Sequence, residues 1–376
     1  MNKNIIILFF NLFIFFAGEV AFSQPAKFQL EGYIKGVKNG KIVLRERLKN
    51  QNIKCIQSEI LILNGKFKFQ GEISDPTEAR FVINDTLFSS LFFLEFGKHQ
   101  TILNIDSISN PLIIKGSKSN NEYLTTYLPK MESFENKIQN WYTDKWALEK
   151  TFNQKLPASI NDSMEIILKD INYQKDSALL AYIKRYPASQ VAVWNLYYRV
   201  YGQGYLSVYD STFNLIDRQL KRSNTGTGLK KLLDEGRQTV IGVIFPSINA
   251  INSFGNLKNI FTKGLDKFTL IDLWFSGCLP CIRQFEELKS IYLKYVSKGF
   301  KIIGVSIDNK ENEIQWRNAV SKNGLLWPQY WDIGGEKVYR LSINTFPSNF
   351  LLDREGKIIA KNIEPSLVAK FLRENL

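Results

Sequence analysis

The segment Leu270-Ile-Asp-Leu-Trp-Phe-Ser-Gly-Cys-Leu-Pro-Cys281 determines how the C-terminal part of the chain is expected to fold. Residues Phe268 to Phe275 are a largely apolar run interrupted by one acid, Asp272, which is typical of a buried strand. Apolar side chains then recur at helical spacing, at Cys281, Phe285, Leu288, Tyr292 and Tyr295. The pattern predicts a strand that leads into a helix, with a Cys-x-x-Cys pair where the two meet.

This placement favours redox chemistry. Unpaired backbone N–H groups and the helix dipole stabilise a thiolate on Cys278, although the dipole alone contributes only about 0.3–1 kcal/mol. Arg283 in the first turn adds positive charge, and Pro280 occupies an early position where its missing N–H has no consequence. We expect the sulfur of Cys278 to face solvent and that of Cys281 to turn inward.

Three other interpretations of the pair are open. A structural disulfide that closes so short a loop stabilises a fold by about 2 kcal/mol or less. A zinc site needs four ligands, and the remaining soft donors, Cys55 and His99, belong to another domain. Two unrelated buried cysteines are possible but leave the strand-to-helix placement unexplained. We favour the redox pair.

The rest of the C-terminal part predicts alternating elements. Phe300 to Ile307 is a second strand, and a helix covers roughly Glu311 to Lys322. Phe350 to Ala360 contains a closing hairpin around the turn Asp353-Arg-Glu-Gly356. Pro365 begins a terminal helix. The order implies a mixed sheet with helices on its faces.

With these motifs, residues 242–376 resemble the exported TlpA/ResA-like thiol–disulfide oxidoreductases of the thioredoxin superfamily. The resemblance implies that Asp272 is a buried acid that moves the proton of Cys281, and that Pro347 in Thr345-Phe-Pro-Ser is a cis-proline beside the site. Each residue also has a purely structural alternative. Asp272 is then a strand-end residue paired with a backbone N–H, and Pro347 is an ordinary trans proline in a turn. The site expected from these motifs has catalytic residues Cys278, Cys281, Asp272 and Pro347, and substrate-binding residues Leu279, Pro280, Thr345 and Phe346. No cofactor or metal is expected beyond the redox-active disulfide.

The chain departs from the family pattern at three positions. Gly277 stands where the commonest motif has Trp, and Gln284 replaces a frequent glutamate. The lost glutamate argues against a specialised role in cytochrome c maturation. Glu286 replaces the usual helix-kinking proline, which predicts a straighter helix.

The preceding residues predict two further regions. Residues 24–120 contain short β-rich runs separated by turns, among them Asn64-Gly65, and predict a β-sandwich-like domain. This segment resembles the uncharacterised β domain that precedes such modules in Bacteroidetes-type proteins. Residues 121–240 have helical periodicity, and residues 245–255 have the composition of a linker. The expected fold class is multidomain: an N-terminal antiparallel β domain, a helical middle region and a C-terminal α/β thioredoxin-like domain over 241–376.

Residues 1–23 have the pattern of a secretory signal peptide, with Lys3, an apolar run, and a cleavage site near Ser23/Gln24. An uncleaved anchor is the alternative. The formal net charge of +13 first suggests a nucleic-acid binder, but an exported protein rarely meets nucleic acid, so we expect no such partner. We therefore expect a periplasmic protein with no membrane span after signal removal.

The sequence thus predicts an exported oxidoreductase that exchanges electrons with protein thiols and disulfides, as a reductant supplied by a membrane-embedded electron donor. The alternatives are a binding or scaffold protein whose N-terminal domains capture a partner, and a disulfide isomerase or oxidase. With only three cysteines in 376 residues, no disulfide scaffold is expected. Cys55 is expected to be a buried strand residue, or else a free or intermolecularly linked thiol, and His99 to lie at the surface.

Overall fold

The computed structural model describes residues 25–46, 57–152, 156–260 and 266–376. The predicted signal peptide, its cleavage site and Cys55 lie outside these ranges, so the predictions made for them stay predictions.

The first part of the chain is a β domain. Its strands are β1 Ala26–Lys35, β2 Asn39–Glu46, β3 Gln57–Leu63, β4 Lys66–Ile73, β5 Thr77–Ile83, β6 Leu87–Phe88, β7 Phe92–Leu94 and β8 Gly97–Asn104. The strand order is β6-β5-β2-β3-β4-β1-β8, and β7 pairs with β5. The pairs are antiparallel except for β1 with β8, which are parallel. Apolar residues from most of these strands meet in one core.

Asn64 and Gly65 form the tight turn between β3 and β4 and both have positive φ angles, 50° and 77°. Such a turn suits the twist of paired strands, and Asn-Gly adopts it readily. A side chain on Gly65 would also meet the ring of Tyr33 at 2.5 Å. The hairpin signal in the sequence therefore has a local physical cause.

His99 is buried, with 3% of its surface exposed, so the expectation of a surface position was wrong. It alternates along β8 with the exposed residues Lys98 and Gln100, and its Nε2 lies 2.9 Å from the carbonyl oxygen of Glu95. The twofold periodicity of the strand places the imidazole on the core side.

The middle of the chain is helical. Its helices are α1 Lys118–Glu122, α2 Leu128–Thr151, α3 Ala158–Arg185, α4 Gln190–Gln203, α5 Ser207–Leu215, α6 Arg218–Lys221 and α7 Asn224–Gly236. The core is rich in aromatic residues, including Tyr182, Trp194 and Tyr197.

The last part of the chain is an α/β domain. Its strands are β9 Ile248–Asn252, β10 Leu257–Ile260, β11 Phe268–Trp274, β12 Phe300–Ser306, β13 Gln329–Trp331, β14 Ser348–Asp353 and β15 Ile358–Lys361. Its helices are α8 Leu279–Tyr295, α9 Glu313–Lys322, α10 Glu336–Tyr339 and α11 Pro365–Asn375. The sheet order is β10-β9-β13-β12-β11-β14-β15, with parallel pairs among β11, β12 and β13 and antiparallel pairs elsewhere. The expected fold class is confirmed.

The stretch 245–255 is not a linker. It contributes β9 to the C-terminal sheet, where Ile248 and Ala250 are buried, and Phe245 packs against Phe350 with 4.8 Å between the ring centroids. Its Pro, Ser, Asn and Gly residues fit a linker, but they equally fit the turn before β10.

Candidate active site

The cysteine pair lies at the N-terminus of α8, directly after β11. Cys278 is the N-cap residue, and its Sγ accepts a hydrogen bond from the backbone N–H of Cys281 at 3.2 Å. Pro280 occupies the first turn of the helix. The unpaired N–H groups of a helix start are therefore directed at the sulfur of Cys278, an arrangement that favours a thiolate in the reduced state.

Cys278 and Cys281 form a disulfide, with 5.3 Å between their Cα atoms. Both residues are buried, with 3% and 2% of their surfaces exposed, so the expected exposure of Cys278 was wrong. They belong to the cluster of buried residues between the sheet and α8, called here the α8 cluster, which contains Leu270, Trp274, Cys278, Cys281, Phe285 and Leu288. Phe275 and Phe346 pack against its edge. Exposure of the first cysteine depends on these packing partners, which the spacing of the motif does not define.

Asp272 lies within β11 and is only 2% exposed. Side chains alternate between the faces of a strand, so Asp272 shares a face with Leu270 and Trp274, the face on which α8 packs. Burial raises the pKa of its carboxyl group to about 7. Its Oδ2 has no hydrogen-bond partner among the described residues. The acid therefore lies on the sheet face that α8 and its cysteine pair cover, and it can exist in either protonation state near neutral pH.

The peptide bond between Phe346 and Pro347 is cis. This loop lies next to the segment that leads into Cys278, because the rings of Phe275 and Phe346 make an edge-to-face contact with 6.0 Å between centroids. Thr345 is exposed and its carbonyl oxygen accepts a hydrogen bond from Ser348 Oγ at 2.6 Å. The backbone N–H and C=O of Phe346 pair with no group in the described part of the chain.

Leu279 and Pro280, predicted to bind substrate, are exposed beside the buried disulfide, Leu279 to 64%. Arg283, one turn further along α8, lies 3.5 Å from Glu149 of the helical region. The structure thus places the predicted residues of the motif around one disulfide and also brings α2 to its border.

Two residues of the site were missed by sequence reasoning. The indole Nε1 of Trp274 donates a hydrogen bond to Gln329 Oε1 at 3.2 Å, and Gln329 is buried on β13. Glu364 lies 3.5 Å from Gln284 Nε2, and burial raises its pKa. A single amide within Leu326-Trp-Pro-Gln-Tyr-Trp331 was the available signal for Gln329, since an apolar strand rarely carries a polar residue without a partner.

The described residues hold neither a metal-binding cluster nor a membrane-spanning helix. They contain no group of three or more His, Cys, Asp or Glu side chains arranged to hold a metal ion. None of the helices within these ranges has the length and apolar character needed to cross a membrane.

Comparison with known proteins divides the chain in the same way as the structure. Residues 242–372 match the Redoxin family, and residues 28–123 match a domain of unknown function, DUF4369. A thiol-disulfide oxidoreductase ResA of Bacillus cereus is 32% identical over 107 residues, which are 28% of this chain and 58% of that ResA. The sporulation thiol-disulfide oxidoreductase A of Bacillus subtilis is 31% identical over 107 residues, 28% of this chain and 64% of that protein.

Among solved structures, the thioredoxin domain of a thiol-disulfide oxidoreductase from Bacteroides vulgatus is 31% identical. The match covers 35% of this chain and 98% of that one, with a TM-score of 0.32. The chain spans less than two thirds of the length of the two curated relatives.

Proposed function

Because residues 242–372 are a TlpA/ResA-like domain of the thioredoxin superfamily, we propose that this chain is an exported thiol–disulfide oxidoreductase that reduces protein disulfides. The observation that carries the proposal is the Cys278–Cys281 disulfide at the start of α8, on the face of the sheet that holds Asp272. This arrangement provides a dithiol (Cys278 and Cys281), a proton acceptor (Asp272) on the sheet face that α8 covers, and the Phe346 backbone for substrate binding.

The reaction begins with the reduced pair. The thiolate of Cys278 attacks a substrate disulfide, so that a bond forms between Cys278 Sγ and one substrate sulfur while the other leaves as a thiolate and takes up a proton. The thiol of Cys281 then gives its proton to the Asp272 carboxylate and attacks Cys278 Sγ. The second substrate sulfur leaves and is protonated, and two electrons have passed from the dithiol to the substrate.

Substrate binding is assigned to the cis-proline loop. The free backbone groups of Phe346 can pair with an extended substrate segment as an added strand. Exposed Leu279 and Pro280 supply apolar contact on the other side of the disulfide. Both features are independent of the substrate's sequence, which suits an enzyme acting on several proteins.

Export and electron supply complete the proposal. The pattern of residues 1–23 supports a periplasmic location, where disulfides form. Each turnover leaves Cys278 and Cys281 oxidised, so the enzyme needs a donor of two electrons. A membrane-embedded dithiol carrier is the proposed donor, since it can deliver electrons across the membrane to the exported chain.

Reduction of insulin by dithiothreitol tests the activity. The wild type should accelerate the reaction, whereas Cys278→Ser and Cys281→Ser should give only the background rate. Cys55→Ser is the matched control and should retain full activity. Equal background rates of insulin reduction in all four proteins would refute the proposed reductase activity.

Trapping tests the separate roles of the cysteines. Cys281→Ser should accumulate mixed disulfides on Cys278, whereas Cys278→Ser should accumulate few. The reduction potential tests the direction of electron flow, and a value close to that of strong oxidants, about −120 mV, would favour an oxidase or isomerase instead.

A further inference from the structure

A row of three residues crosses the sheet beneath α8. Asp272 on β11 pairs directly with Gly304 on β12, and Gly304 pairs directly with Gln329 on β13. Residues opposite each other on neighbouring strands project from the same face. Gly304 has no side chain, so a space remains between the side chains of Asp272 and Gln329.

The carboxamide of Gln329 fills this space. A Cβ atom on Gly304 would lie 2.3 Å from Gln329 Oε1 and 2.6 Å from Nε2. The amide therefore extends over β12 towards β11. Its Oε1 accepts the hydrogen bond from Trp274, whereas its buried Nε2 has no acceptor in the described ranges.

The orientation of the amide follows from the chemistry of its neighbour. An indole nitrogen is only a donor, so Trp274 requires the oxygen of Gln329 on its side. The nitrogen is then left for the rest of the space above Gly304, on the face of the sheet that Asp272 shares. Asp272 Oδ2 is an acceptor that lacks a donor within the described residues, and Gln329 Nε2 is a donor that lacks an acceptor there.

The residue opposite Asp272 on its other neighbouring strand, Asn349, uses its amide for a different partner. Asn349 on β14 uses its amide for Ile363, whose backbone C=O accepts from Nδ2 and whose N–H donates to Oδ1, both at 2.9 Å. Among the described residues, the Gln329 nitrogen thus differs from that of Asn349 in having neither of its two hydrogens bonded.

We propose that Gln329 is a positioning residue for proton transfer, whose Nε2 donates a hydrogen bond to Asp272 when that carboxyl group is ionised. Trp274 fixes the orientation of the amide and Gly304 makes room for it. The proposal rests on the function assigned above, because the proton concerned is the one that Cys281 gives up. The donor stabilises the charged carboxylate at the moment when it must accept that proton.

Glu364, the buried acid 3.5 Å from Gln284 of α8, does not contribute to the shifted pKa of Asp272, and neither does any other charged group among the described residues. The α8 helix contributes Cys278 and Cys281, β12 and β14 contribute Gly304 and Asn349, and α9 and α11 add the apolar side chains of Ala319 and Val368 to the same cluster. Burial is the cause of the raised pKa, with no charged partner contributing. A hydrogen-bond donor is therefore the main means by which this domain can stabilise the ionised form.

The test measures the pKa of Asp272 in the oxidised full-length protein, by carboxyl infrared difference spectra assigned with Asp272→Asn. Gln329→Met preserves the size of the side chain and removes the donor, so the pKa should rise by about one unit. Tyr330→Phe, on the same strand but the opposite face, is the control and should leave it unchanged. An unchanged or lowered pKa in Gln329→Met would overturn the proposal.

Gly304→Ala provides a second test that keeps Gln329 in place. The added methyl group displaces the flexible amide, so the pKa of Asp272 should rise as it does in Gln329→Met. An unaltered pKa in a folded Gly304→Ala protein would contradict the proposal.

The pH dependence of mixed-disulfide resolution by Cys281 links the residue to the reaction. Its midpoint should move upward in Gln329→Met, and adding Gln329→Met to Asp272→Asn should cause no further shift. A further shift in the double variant would count against action through Asp272. The infrared pKa needs no activity, so a failed insulin assay refutes the proposed function, and an unmoved pKa refutes the role of Gln329.

Discussion

At the scale of single residues, Asp272, the proposed proton acceptor, should lower the stability of the fold above neutral pH. Its pKa is about 7 in the folded protein and near 3.8 when exposed. Between these pH values the native state holds a proton that the unfolded chain releases. The free energy of unfolding therefore falls as the pH rises through this interval and stays low above it.

Asp272→Asn should accordingly stabilise the oxidised protein at pH 8 by about 2–4 kcal/mol, and by much less near pH 4, where the wild-type carboxyl is protonated. Urea unfolding at the two pH values measures the difference. Asp85→Asn is the control, since Asp85 is exposed and paired with Lys41. A stabilisation that grows towards low pH would contradict this assignment.

A second prediction at the scale of single residues is that the Phe346 ring limits access to the disulfide. Phe346→Ala removes a ring that packs against the α8 cluster, so reduction of Cys278–Cys281 by dithiothreitol should become severalfold faster. Stopped-flow tryptophan fluorescence follows the reaction. Phe254→Ala alters a fully exposed ring of the same domain and should have no effect. An unchanged rate in Phe346→Ala would show that another group limits access.

The sequence predicted the positions of the redox residues better than their environments. Two cysteines at a helix start and one acid in an apolar strand are local signals. The burial of Cys278 and the contact between Trp274 and Gln329 depend on residues distant in the chain. His99 differs, because its burial follows from the alternation along β8 and from the nearby carbonyl groups of Glu95 and Phe96.

At the scale of elements, strong periodicity predicted β11, α8 and the β14–β15 hairpin, whereas composition misassigned β9. The packing of the helical region also depends on polar contacts between helices, which the periodicity of the sequence does not predict. Buried Arg199 on α4 donates to Asp176 on α3 at 2.6 Å, and Asp176 accepts from Tyr209 on α5 at 3.0 Å. This network joins three helices through polar groups in the interior.

Asp176→Leu should destabilise the protein by about 3–5 kcal/mol, because it leaves the Arg199 guanidinium buried without its carboxylate. Arg199→Met combined with Asp176→Leu should recover much of that loss. Asp234→Ala breaks the exposed pairs with Lys230 and Arg237 and should cost less than about 1 kcal/mol. Equal urea unfolding midpoints for the Asp176→Leu and Asp234→Ala variants would contradict a stabilising role for the buried Asp176–Arg199 pair.

At the scale of the whole molecule, the helical region is bonded to both of its neighbours. Trp194 Nε1 donates to the carbonyl oxygen of Pro76, and Asp75 accepts from the backbone N–H of Thr225 at 2.7 Å. On the other side, Ser342 Oγ donates to the carbonyl oxygen of Leu232 at 2.9 Å. The β domain thus supplies a carboxylate to the N-terminus of α7, where it satisfies a helix N–H group.

Asp75→Ala should therefore loosen a junction between domains, with a loss of about 1 kcal/mol. Hydrogen exchange should become faster both at the start of α7 and in the loop around Pro76. Asp217→Ala removes a comparable cap within the helical region and should affect only α6. If hydrogen exchange in Asp75→Ala became faster only in α7 and not around Pro76, the junction would not depend on this carboxylate.

The buried disulfide imposes an order of events on catalysis. Under the proposed function, a partner would first meet Leu279 and the rim formed by Phe346, and the buried sulfur atoms would become accessible once these side chains move. Small thiols gain little from contact with that rim, whereas a polypeptide can occupy it while the disulfide opens. Under the proposed function, protein thiols should therefore reduce this disulfide faster than small thiols such as dithiothreitol do, a preference that contact with the rim would set before any electron moves.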